Sequence, residues 1–238
     1  MKKVKLPNGK VVRFKPQIFD RQNKLQEDNG YVMDVEVQKE NLALFFNFCK
    51  ENSITAMLFY GTLLGAIRDN DFIPHDDDMD IVVLGENFGL VLEKIDELRA
   101  IGFELTRYDQ RGMISLSRNG EYMDLYSARK NGDTREIAEM YIFPASMVEK
   151  TTVFNFLGVE VFVPEESEQF LLYRYGETWR IPIKYEVTEA SVRKTRIKEI
   201  IKNALPNWLV LKIQRRKGQK TRIEYEERYR EYCQKIKK

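Results

Sequence analysis

Apolar side chains recur at three- and four-residue spacing after Asp34, where Leu42, Phe45, Phe46 and Cys49 form one stripe. With Asp34 as cap, that spacing predicts a helix through about Lys50. Ile54 to Tyr60 is a short, largely apolar run and predicts a buried strand that Gly61 breaks. Thr62 to Arg68 follows as one or two helical turns, and Asp69 to His75 as a polar loop containing Pro74. Ile81 to Leu84 is the next strand. Phe88, Val91, Leu92, Ile95 and Leu98 define one amphipathic helix that Gly102 ends, and Phe103 to Tyr108 another strand.

Two hairpins follow. Met113 to Ser117 and Tyr122 to Ala128 flank Asn119-Gly120, a dipeptide that tolerates the positive φ of a two-residue turn. Val153 to Phe156 and Val159 to Phe162 flank Leu157-Gly158, and Pro164 ends the second strand. Glu165 to Tyr175 predicts a helix before Gly176, and Ala190 to Ala204 a basic one. The pattern contains no internal repeat. It describes an α/β (α+β) fold, a mixed sheet flanked by helices. The expected organisation is an N-terminal extension of short strands or loop over 1–33, a catalytic domain over 34–190 and a basic helical tail over 191–238.

Charge sharpens this division. The 238 residues hold 39 Lys+Arg and 37 Asp+Glu, yet from Arg193 onward there are sixteen basic residues against five Glu, net +11, leaving the body at net −9. In the tail, Leu205, Trp208, Leu209 and Ile213 share a helical face that runs into Arg215-Arg216-Lys217. Such a segment either docks on the body, lies on an anionic membrane surface or meets nucleic acid. The acidic body argues against a nucleic-acid surface, so no nucleic-acid partner is expected. Peripheral contact with the membrane through the tail is kept as an expectation. No secretory leader is expected from the opening residues, and no apolar run reaches the ~20 residues that span a bilayer. Cys49 and Cys233 lie far apart without metal-ligand spacing, which fits two buried thiols in the cytoplasm.

The chemistry concentrates in Tyr60-Gly61-Thr62-Leu63-Leu64-Gly65-Ala66-Ile67-Arg68 and Phe72-Ile73-Pro74-His75-Asp76-Asp77-Asp78-Met79-Asp80. On an extended backbone Asp76, Asp78 and Asp80 share one face and Asp77 points the other way. Such a row calls for a counter-ion, and a hard divalent cation, Mg²⁺ or Mn²⁺, with substrate phosphates as further ligands, is the natural one. A calcium loop of the EF-hand type is excluded, because Ile81 stands where that loop needs Gly and Asn87 where it needs Glu. Gly61 and Thr62 at a helix start are expected to receive donor phosphates, with Arg68 as a cationic fork or, equally, as a surface partner of Asp69 or Asp71. Asp124, inside the apolar run Met123 to Tyr126, is a costly charge unless paired or metal-bound.

In this order, these blocks resemble the LicD family of the nucleotidyltransferase-fold superfamily, which also includes fukutin and fukutin-related protein. Further matching blocks are Met123-Asp124-Leu125-Tyr126, Phe156 through Pro164, and Leu171 through Pro182 with its Tyr175-Gly176-Glu177-Thr178-Trp179-Arg180 core; the resemblance covers roughly 34 to 185. It departs at His75, where the family usually has Trp.

The resemblance implies a transferase that moves a phosphorylated alcohol (phosphocholine, ribitol phosphate or glycerol phosphate) from a CDP-alcohol donor to a sugar hydroxyl of a cell-surface glycan or its lipid-linked precursor, releasing CMP. It implies metal held by Asp78, Asp80 and Asp124, with Asp76 an outer or second contact, and Asp124 placed to take the acceptor proton. Lys184 and Arg193 are candidates for phosphate contacts, and Tyr175 to Trp179 for the acceptor side. Two rival readings stay open: a nucleotidyltransferase that moves NMP from an NTP and releases pyrophosphate, and an inactive metal-binding relative.

Overall fold

The computed structural model describes residues 1–16, 33–74, 76–183 and 204–236, with short pieces at 25–26, 30–31, 194, 197–198 and 200–202. His75, Lys184, Arg193 and most of the expected 190–204 helix lie outside the described residues.

A seven-stranded mixed sheet forms the centre, from β5 (Ala56–Leu58), β6 (Met79–Leu84), β7 (Glu104–Asp109), β8 (Met113–Arg118), β9 (Glu121–Asn131), β10 (Thr134–Ile137) and β11 (Tyr141–Pro144). β6 and β9 are its only parallel neighbours among the described strands, and β5 joins β6 antiparallel on the other side. All six residues of β6 are buried, which accounts for its unbroken apolar run apart from Asp80. Separate two-stranded pairs are β1 (Lys2–Lys5) with β2 (Val11–Phe14), β3 (Leu25–Gln26) with β4 (Gly30–Tyr31), and β12 (Thr151–Phe156) with β13 (Val159–Pro164).

Helix α1 (Val35–Glu51) starts as the cap signal requires, Asp34 accepting from the Val37 N–H at 3.1 Å. It packs on β13 and β9, burying Leu42, Phe45, Phe46 and Cys49. The strand expected over Ile54 to Tyr60 is only three residues long, because α2 (Tyr60–Asp69) begins at Tyr60, one residue before the glycine. The expected helix over Phe88 to Leu98 is two helices, α3 (Gly85–Glu93) and α4 (Ile95–Ala100), broken at Lys94. The apolar spacing survives the break, since Phe88, Val91, Leu92, Ile95 and Leu98 are all buried. Both expected hairpins are present, with Asn119 and Gly120 at φ 52° and 85° and Leu157 and Gly158 at 53° and 84°.

The β10–β11 hairpin has no counterpart in the sequence reading. It is anchored by Arg135, 2 % exposed, whose guanidinium reaches Glu86 at 2.7 and 2.9 Å and Glu149 at 3.4 Å. Short α5 (Ser146–Glu149) and α6 (Ser167–Tyr175) lead to α7 (Asn207–Ile236), which packs along β11. Among the described residues no helix is long and apolar enough to cross a membrane. Cys49 is buried and Cys233 half-buried, and neither is in a disulfide.

Candidate active site

One lateral row across four strands builds the site. Arg107 on β7 opposes Ser115 on β8, Ser115 opposes Asp124 on β9, and Asp124 lies beside Asp80 on β6. Directly paired residues project to the same face of a sheet, so this register delivers one cation, one hydroxyl and two carboxylates to one place. The Ser115 hydroxyl donates to Asp124 Oδ1. Asp124 Oδ2 accepts from Arg107 Nη1 at 3.4 Å and from the Tyr126 hydroxyl at 3.5 Å. Asp124 is thus a buried, oriented carboxylate.

Asp80 is held from above by α2. Its Oδ2 accepts from the Gly61 N–H at 3.1 Å, and its own N–H donates to Thr62 Oγ1 at 2.8 Å. These two residues fix a carboxylate and its strand at the helix start where the sequence places the donor phosphates. A side chain at 61 would run into the Asp76 carboxylate and force it to move, so glycine lets that carboxylate lie against the start of α2. The close approach belongs to aspartates.

Asp76, Asp77 and Asp78 precede the strand, with carboxylate oxygens within 4.8 Å of one another. Asp77 does not stand apart as alternation would have it, since the chain is not yet extended there. It shares that cluster and accepts from the Tyr122 hydroxyl at 3.1 Å. Burial, then the charges of Asp80, Asp124, Asp76 and Asp77, drives the Asp78 carboxyl well above the usual carboxylate range. Burial, then Asp76 and Asp124, does the same to Asp80, against hydrogen bonds from Tyr126 and Gly61. The structure thus brings Asp76, Asp78, Asp80 and Asp124 into one electrostatic cluster with Asp77 at its edge.

Arg68 is not brought there. It sits near the C-terminal end of α2, about 10 Å along the axis from Gly61 at 1.5 Å per residue, and pairs with Asp69 at 2.6 Å. The surface-partner alternative is the one the structure displays.

Four contributors escaped the sequence reading. Ser115 was recoverable: the two-residue turn pairs Arg118 with Glu121, and counting back three on each side pairs Ser115 with Asp124. Arg107 was not, because the β7–β8 register shifts between Leu105 and Arg107, and only this bulge sets Arg107 opposite Ser115. Tyr126 lay two residues after Asp124, on the same face by alternation. Tyr122 carries no local signal.

Residues 53–166 match the family model described as LicD/FKTN/FKRP, nucleotidyltransferase domain. The match spans slightly less than half of the chain and supports a transferase of this family. In fold it is similar to the antibiotic-resistance factor ANT(2'')-Ia in a solution structure, with 16% identity, a TM-score of 0.45, and 85% of this chain and 98% of the other covered. It is also similar to the lincosamide antibiotic adenylyltransferase LnuA in its lincomycin-bound crystal structure, with 17% identity, a TM-score of 0.42, and 71% and 97% covered. No curated protein matches the chain.

Proposed function

We propose that the chain is a metal-dependent phosphotransferase that moves a phosphorylated alcohol from a CDP-activated donor to a sugar hydroxyl, releasing CMP. The observation that carries the metal site is the convergence of Asp76, Asp78, Asp80 and Asp124 beneath the start of α2, with the carboxyls of Asp78 and Asp80 held unfavourably for charge. Oxygen-only donors, several of them on one cluster, fit Mg²⁺ or Mn²⁺. Asp78, Asp80 and Asp124 would hold the ion, with Asp76 beside them, and the ion would neutralise the donor diphosphate. The donor and acceptor classes come from the family resemblance and not from the geometry.

The protein's own groups do the rest. Asp124 takes the proton of the attacking hydroxyl on a carboxylate that Ser115, Tyr126 and Arg107 hold in one orientation. A bond forms between that oxygen and the phosphorus bearing the alcohol, the bond from phosphorus to the CMP oxygen breaks, and the proton passes from Asp124 to solvent. The acceptor is a glycan or its lipid-linked precursor. The basic tail, with Trp208 66 % exposed at the start of α7, supplies a peripheral contact with the cytoplasmic membrane face.

The test is product analysis with CDP-choline, CDP-ribitol, CDP-glycerol, CTP and ATP, each with Mg²⁺ and a sugar acceptor. CMP release with one CDP-alcohol, absent in Asp80→Asn, is expected. Pyrophosphate release from an NTP would replace this reading with nucleotidyl transfer, and no turnover of any donor would leave a metal-binding relative.

A further inference from the structure

Beside the aspartate cluster lies the cation of Arg174, which has no counter-charge among the described residues. The Arg174 guanidinium sits 5.0–5.7 Å from the ring centres of Tyr60, Tyr141, Tyr175 and Tyr225. Among the described residues no carboxylate pairs with it, whereas its neighbours Arg180 and Arg228 have Glu168 and Glu224. Three polar atoms of this box are buried with no hydrogen-bond partner among the described residues: Arg174 Nε and the hydroxyls of Tyr60 and Tyr225. Tyr60 is nine-tenths buried and Tyr225 more so.

Burying a charge and its donors unpaired is costly, and cation–π contacts offset only part of the loss. Desolvation pulls the Arg174 pKa down and the surrounding tyrosines push it up; the net direction is upward, so the guanidinium keeps its proton. The box therefore presents one fixed positive charge and three hydrogen-bond donors, which is the complement of an oxyanion with several acceptor oxygens.

Its position relates it to the aspartates. Tyr60 precedes Gly61, whose N–H holds Asp80, and its ring lies 5.2 Å from that of Tyr126, whose hydroxyl reaches Asp124. Tyr60 has φ +40°, a strained value for a residue with a side chain, maintained where the strand turns into α2. Tyr175 feels the charges of Asp80 and Asp76.

We propose that the Arg174 box is an anion subsite for the phosphate of a diphosphate substrate that the aspartate site does not hold. This rests on the reading of the aspartates as a metal site for a diphosphate, but not on which alcohol, base or acceptor is involved. Arg174 supplies the charge, and Tyr60 and Tyr225 the hydroxyl donors.

The test is calorimetric titration of the full chain with magnesium pyrophosphate, which needs no knowledge of base or alcohol. Wild-type protein is expected to bind it, Arg174→Met to bind it about 10- to 100-fold more weakly, and Arg174→Lys to fall between. Tyr60→Phe, which keeps the ring and removes a hydroxyl with no partner among the described residues, is expected to melt no lower than wild type yet bind about threefold or more weakly. The proposal is overturned if wild type does not bind magnesium pyrophosphate, or if Arg174→Met stays within twofold of wild type. Should Arg174→Met fail to fold, Tyr60→Phe decides, and binding within twofold overturns the subsite. Turnover of a CDP-alcohol by wild type together with unchanged pyrophosphate affinity in Arg174→Met would sink the subsite and leave the transferase standing. Arg174-dependent pyrophosphate binding with no CDP-alcohol turnover would do the reverse.

Discussion

The Asp80 carboxyl is caught between folding and charge. Its pKa in the folded state lies well above the usual carboxylate value because of burial and then Asp76 and Asp124. Below the usual carboxylate range it is protonated in both the folded and unfolded states and contributes nothing to pH dependence. As pH rises from that range to the raised value, the unfolded chain loses its proton first, so metal-free stability falls. With a chelator present, the protein is expected to melt higher near pH 5.5 than near pH 7.5, and added Mg²⁺ to recover more at the higher pH. Asp80→Asn is expected to melt above wild type in chelator at neutral pH and to show a weaker response to Mg²⁺. A scan of melting temperature against pH and Mg²⁺ checks both, and a wild type flat across that range would contradict the buried-charge account. At Ser115 the expectation is different in kind. Ser115→Ala removes one donor to Asp124 and is expected to cost about 1 kcal/mol in stability, with a lower kcat and little change in KM.

At the scale of elements, the junction of β5, α2 and the loop before β6 carries the site. Gly65 lies where α2 crosses that loop, and a methyl group there would run into the Asp71 carbonyl and meet the Ile73 backbone nitrogen at 3.3 Å. Gly65→Ala is expected to destabilise by about 1–3 kcal/mol and, by shifting the loop that leads to Asp76, to weaken Mg²⁺ stabilisation as well. Denaturant unfolding with and without Mg²⁺ separates the two effects.

Much at this scale was legible beforehand. The Asn119-Gly120 turn set a register from which the partner of Asp124 follows, and the apolar run of β6 marked a strand buried on both faces. Arg107 stayed hidden because a bulge is decided by packing along β7, not by alternation. The α3–α4 break stayed hidden because both halves keep the same buried stripe. The β10–β11 hairpin depends on the ion pairs of Arg135 with Glu86 and Glu149, contacts between residues far apart in the chain.

At the scale of the molecule, the basic tail belongs to the body as well as to its charge map. Tyr225 on α7 is 3 % exposed, Gln214 donates to Asp109 at 2.8 Å, and Arg228 donates to the Tyr173 and Arg174 carbonyls at 2.6 and 2.8 Å. Those carbonyls end α6, where a cation complements the helix dipole. The docking reading of the tail therefore holds for α7, while its first turns still present Trp208 outward. Sedimentation with vesicles containing anionic lipid, against neutral vesicles, is expected to show binding that weakens with salt and falls in Trp208→Ala. Equal recovery of wild type and Trp208→Ala would remove the membrane contact from the proposal. Net charge made the tail visible in the sequence, but its docking depends on tyrosines and arginines spaced along thirty helical residues, whose partners lie on β7, β11 and α6.

The placement of Tyr225 also bears on the order in which the protein is completed at the ribosome. β6 and β9, with Asp80 and Asp124, emerge well before α7, the last described element to be made. A nascent chain can thus assemble the aspartate row while the tyrosine enclosure around Arg174 still lacks a wall. Completion of that enclosure waits until α7 has been made, so a chain ended before α7 would carry the carboxylates without the finished box.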